Sequence, residues 1–179
     1  MIKKLFLTLV FSFICLFAYA DTVTYYFNAY DVDGEEWLES PENMVDGNTG
    51  TKAGSIGYST QLLTGNTCEG TNLGTISKVE LRIYAQVGNI YNNVYLRPVF
   101  GGSSDGDNHD TGELRREWSA YLDITSDTNA PSWTWTVIQN LDCDVEDYAS
   151  GMLDSAFASK VEIRVTYGGA ARRRIIMVE

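Results

Sequence analysis

Histidine is nearly absent from this chain. His109 is the single one in 179 residues. An imidazole-based triad could draw only on that residue, which sits in the polar stretch SSDGDNHD, where a lone histidine is ordinarily just solvated. Cysteine is scarce too: Cys15, Cys68 and Cys143, with no Cys-x-x-Cys pair. Together with the lone histidine, that excludes the usual zinc centres. Three prolines give no Pro-rich linker, and no phosphate-cradling Gly-x-x-x-x-Gly-Lys loop is present. Basic residues are few, 13 against 24 acidic ones, for a net charge of −11. That balance argues against nucleic acid and against an anionic membrane surface as partners. The local exception, Arg172-Arg173-Arg174, reads as a charged edge strand.

The one long apolar run, Leu5 to Phe17, lies at the N-terminus behind Lys3 and Lys4 and ahead of Ala18-Tyr19-Ala20. A positive start, a short apolar stretch and small residues at −3 and −1 predict a secretory signal over 1–20, cleaved before Asp21. Cys15 does not make a lipobox, because Ile14 before it is large. We therefore expect a secreted or cell-surface protein, periplasmic or extracellular, with no membrane insertion after cleavage. Residues 21–179 suffice for one domain with a hydrophobic core. In an oxidising compartment Cys68 and Cys143 are expected to form a disulfide, worth at most about 4–5 kcal/mol by loop-closure entropy. The alternative is two buried thiols.

Period two dominates the chain beyond residue 20. TVTYYFNAY (22–30) places Val23, Tyr25, Phe27 and Ala29 on one face. KVELRIYAQV (78–87) sets Val79, Leu81, Ile83, Ala85 and Val87 against Lys78, Glu80, Arg82, Tyr84 and Gln86. VYLRPVF (94–100) alternates around Leu96 and Phe100, but Pro98 cannot donate to a ladder, which predicts an edge strand or a bulge. EWSAYLDIT (117–125) points Trp118, Ala120, Leu122 and Ile124 inward, and KVEIRVTY (160–167) does the same with Val161, Ile163, Val165 and Tyr167. A further strand is expected over Ile175 to Val178. Helix is confined to short turns, one starting at Thr136 in TVIQ and one within Asp144 to Ser150. Half-buried strands with polar outer faces predict an all-β chain, a single antiparallel β-sandwich of jelly-roll type with one or two short helical turns.

NMVDGNTGT (43–51) combines oxygen-bearing Asp46, Asn48 and Thr51 with two glycines that allow a tight turn. Carboxylate, amide and hydroxyl oxygens in a compact loop suit a structural Ca²⁺; the alternative is an Asp-Gly turn in which Asp46 bonds its own backbone. Asp105, Asp107 and Asp110 read instead as a flexible acidic turn, because EF-hand spacing and its closing Glu are missing. So does Asp31-Val32-Asp33-Gly34-Glu35.

Asp46-Gly47-Asn48-Thr49-Gly50-Thr51, then Leu73-Gly74-Thr75-Ile76-Ser77-Lys78-Val79-Glu80-Leu81, then Val161-Glu162-Ile163-Arg164-Val165 resemble, in the same order, three segments of the discoidin-like (coagulation-factor type C, or galactose-binding-like) module. The chain departs from that pattern in having Ala53 where a Trp is frequent. The resemblance implies that Glu162 on the closing strand supplies the second carboxylate for Ca²⁺ beside Asp46, Asn48 and Thr51. WTWTVIQNL (133–141) is similar to β-sandwich domains of phage tails and microbial surface proteins.

Eleven tyrosines and four tryptophans complete the picture. Aromatic faces stack on sugar C–H groups and phenol hydroxyls bond to sugar oxygens. Trp37 and Tyr91, in loops between expected strands, are the candidate ligand contacts. The expectation is a non-catalytic binding or adhesion module for carbohydrate, a cell-surface glycan or an extracellular polysaccharide. The alternative is a self-associating structural subunit of a surface or appendage assembly. A small secreted hydrolase ranks third, since nothing singles out a pair of acids.

Overall fold

Alternation becomes architecture in the computed structural model, which describes residues 20–33, 37–88, 93–148 and 155–169. The expected leader up to residue 19, Tyr91, Arg172–Arg174 and the strand over Ile175–Val178 lie outside the described residues.

Two long strands organise one layer. β4 (Gly74–Val87) and β11 (Ser155–Gly169) pair antiparallel along most of their length, Val79 opposite Val165 and Ile83 opposite Val161. β2 (Ala53–Ile56) adds to β11, while β8 (Arg115–Trp118) and β9 (Leu122–Asp123) add to β4. The other layer holds β3 (Ser59–Asn66), β10 (Asp142–Tyr148) and β5 (Asn93–Phe100), edged by the short β6 (Ser104–Asp105) and β7 (His109–Asp110). β1 (Ala20–Tyr30) belongs to both: its first part pairs with β11, its last part with β3. The fold is the antiparallel all-β sandwich that the alternation predicts.

The core lies between the layers. Leu81, Ile83, Val161 and Ile163 from one side meet Leu63, Leu96, Cys143 and Val145 from the other, all fully buried. Pro98 fits because β5 has only β6 and β7 on its outer side. Their ladders pair with Val99–Phe100 and Tyr95–Leu96, so Pro98, which has no N–H to offer, falls in the gap between them. Gly74 begins β4 at φ 142°, and a Cβ there would meet the Gly168 carbonyl oxygen at 2.1 Å. Only glycine allows that approach.

Three local expectations are corrected. The short helix α1 spans Trp135–Gln139, and its cap is Thr134, whose side chain accepts from the Val137 N–H; Thr136 lies inside it. Asp144 to Tyr148 is not helical but belongs to β10, held on both sides by β3 and β5, which satisfy its backbone better than an isolated turn. The expected strand 117–125 is broken into β8 and β9. Trp118 stands opposite Tyr84 on the outward face, while Ile124 alone of its expected inward set is fully buried.

Candidate ligand-binding face

β10 points Cys143, Val145 and Asp147 inward and Asp142, Asp144, Glu146 and Tyr148 outward. On the outward face Tyr148 ends the strand, 55% exposed. Tyr58, 64% exposed, arrives from the turn between β2 and β3, which Gly57 makes possible at φ 85°. Its ring meets that of Tyr148 edge-on, with centroids 4.8 Å apart at 90°. Tyr95 of β5 closes the group, 6.0 Å from Tyr148 at 79°. Hydrogen bonding to Tyr148 raises the pKa of the Tyr58 hydroxyl. Three phenol rings thus stand together on an open sheet face.

Polar groups border them. Asn93 Nδ2 donates to Asp110 at 2.9 Å, and Asn108 Nδ2 donates to Glu146 at 3.0 Å. Arg97 binds Asp144 at 2.7 Å and Glu146 at 2.9 Å, with Asp105 at 3.5 Å. Burial pushes the Asp144 carboxyl up from its ordinary range, although Arg97 pulls it down. The arrangement offers flat apolar surface beside amide, carboxylate and phenol groups, which suits a polyhydroxylated ligand.

The residues singled out in the sequence fare differently. Trp37 is a correction: at 1% exposure it belongs to the core, and its indole N–H donates to the Val145 carbonyl at 3.2 Å. Its large apolar area is what buries it. The loop of Asp46, Asn48 and Thr51 closes on itself. Asp46 accepts from the Asn48 N–H at 2.7 Å and from the Thr51 hydroxyl at 2.6 Å, and the Asn48 side chain accepts from the Gly50 N–H at 2.8 Å. This is the Asp-Gly turn, satisfied by its own donors.

Glu162 does not join the loop. Arg82 binds it at 2.6 Å and Lys160 at 3.0 Å, so two cations already hold the carboxylate intended for calcium. The four residues therefore do not fit a shared Ca²⁺ cage. No group of three or more metal-ligating acids, histidines or cysteines converges among the described residues. Cys68 and Cys143 are likewise a correction: both are buried free thiols. Cys143 lies on β10 facing the core, whereas Cys68 packs by the Trp135 carbonyl beside α1.

Elsewhere the acids serve structure. His109 Nε2 lies 2.8 Å from Asp127 Oδ2, a buried carboxylate that also accepts from the Asp107 N–H. Among the described residues no hydroxyl or thiol bonds to that imidazole, so the pair has no nucleophile beside it. On the opposite outer face Glu80 binds Arg164 and Lys78, and the Arg82 and Arg164 guanidinium groups both cover the Tyr121 ring. The Arg82 guanidinium also lies 4.1 Å from the centre of the Trp118 ring.

Sequence reasoning missed Tyr58, Tyr95 and Tyr148. Alternation in VYLRPVF already puts Tyr95 opposite Leu96, and Tyr58 follows a turn glycine, but nothing local joins three segments that far apart. No family model, no curated protein and no solved structure matches this chain.

Proposed function

We propose that this protein is an exported, non-catalytic binding module for carbohydrate, a cell-surface glycan or extracellular polysaccharide. The supporting observation is the group formed by exposed Tyr58 and Tyr148 with half-buried Tyr95, bordered by Asn93, Asn108 and Glu146. Exposed aromatic rings at a rigid sheet face present ready-made stacking surface, at little cost in side-chain ordering. The galactose-binding-like resemblance supports the same ligand class, and the N-terminal leader pattern supports export. A glycan array probed with wild type and with Tyr58→Ala/Tyr148→Ala tests it. Binding to a defined glycan that the double variant loses is the expected outcome; an array blank for wild type ends the proposal.

One observation favours the structural-subunit alternative. The first part of β1 pairs only with β11 among the described residues, which leaves an open strand edge. A concentration-dependent polymer in size-exclusion chromatography would favour that assembly, and a monomer the binding module.

A further inference from the structure

The charges on the described residues single out one place. Lys78, Arg82, Arg97, Arg115, Lys160 and Arg164 are all ion-paired. In so acidic a chain that is the expected state. Among the described residues the remaining two cations, Lys52 and Arg116, have no carboxylate partner, and both line the same cavity of about 100 Å³. The rings of Tyr84 and Phe157, the polar groups of Gln86 and Ser159, and the loop Thr49–Thr51 share its wall. No carboxylate lines it. Asp46, on the loop whose Thr49–Thr51 segment lines the cavity, is already occupied by the Asn48 N–H and the Thr51 hydroxyl.

The backbone around the cavity is irregular on both sides of β4. Against β8 the register shifts between Ala85 and Gln86, leaving Arg116 as the extra residue. Against β11 it shifts between Ala158 and Lys160, leaving Ser159 as the extra residue. Bulges re-aim side chains and gather beside binding sites. Both extra residues line the one cavity. Arg116 sits at φ 64°, a conformation that glycine adopts freely and arginine does not. The Lys52 ammonium lies 3.7 Å from the centre of the Phe157 ring, held against the cavity wall by a contact that leaves its charge uncompensated.

We propose that this cavity binds a carboxylate group, with Arg116 meeting it through its planar fork and Lys52 adding a second positive charge. A planar guanidinium matches a planar carboxylate. The volume admits a functional group rather than a whole ligand, so the rest of the molecule lies outside, along Tyr84 and Phe157. The carboxylate belongs either to a free organic acid or to an acidic sugar unit. The site is separate from the tyrosine face on the other layer, and the inference does not depend on it.

The test is a ¹H–¹⁵N titration of the intact protein with sodium glucuronate, sodium acetate and glucose. Saturable shifts at Lys52, Gln86 and Arg116 with glucuronate, and none there with glucose, are expected. Acetate acting like glucuronate identifies a free acid as sufficient; glucuronate acting alone identifies an acidic sugar. Arg116→Gly should weaken glucuronate by about tenfold or more while Tm holds or rises, since glycine suits that φ. Lys52→Gln should weaken it less, and Tyr58→Ala/Tyr148→Ala should leave it unchanged. Equal shifts with glucose, no saturable shift, or both cation variants binding as wild type would overturn the site.

Discussion

Trp37 shows how little a loop position says about exposure. It sits between β1 and β2, where sequence favours a surface role, yet its side chain fills the core and its indole N–H bonds the β10 backbone at Val145. Replacing it leaves a large void and removes that buried hydrogen bond. Trp37→Ala is expected to cost about 3–5 kcal/mol, read as a lower urea midpoint. Asp46 teaches the converse. Its residue type suits a cation, but two donors within its own loop already claim both oxygens. Loop chemistry is legible in the sequence as a set of oxygens, whereas their direction depends on which N–H groups the turn presents.

At the scale of the element, β4 and β11 were legible because each carries a long, clean alternation, with Leu81, Ile83, Val161 and Ile163 inward. β10 was not. Its inward set, Cys143, Val145 and Asp147, includes a carboxylate, so DCDVEDY has no apolar stripe to read. Its strand character comes from neighbours on both sides. The outer faces of β4 and β11 carry a testable electrostatic element. Hydrogen bonding from Arg164 holds the Glu80 carboxyl below its usual 4.5, against the opposing effect of burial. A lowered folded-state pKa means stabilisation that is complete above pH 4.5 and is lost as pH falls through the depressed value. Glu80→Gln is expected to cost about 1–3 kcal/mol at neutral pH. The gap to wild type should close in acid. Urea midpoints measured across that range check it, and a gap independent of pH would exclude the assignment.

For the whole molecule, the two layers are joined by β1 and by the packed core rather than by a covalent link between Cys68 and Cys143. Burial pushes the Cys143 thiol well above its ordinary pKa, which suppresses the reactive thiolate. Both cysteines are buried from reagent and should resist alkylation in the folded protein. Both should label fully in denaturant without reductant, as peptide mass spectrometry would read. A linked Cys68–Cys143 peptide would show the opposite. With no bond to break, reductant should leave Tm where it is.

Local pattern determined what local physics can determine. Period-two alternation requires pleated strands with one wet face, so an all-β, two-layer domain followed from residues such as those of β4 and β11, whatever their order in space. Scarce histidine and cysteine likewise narrowed the chemistry before any coordinate. Which aromatics reach solvent was decided only by tertiary structure, because exposure depends on distant strands: β10 and β5 bring Tyr148 beside Tyr95, and the core takes Trp37. The two bulges flanking Ala85 were decided there too. A one-residue shift in pairing is invisible in either strand alone, and it is what turns Arg116 and Ser159 toward a common cavity.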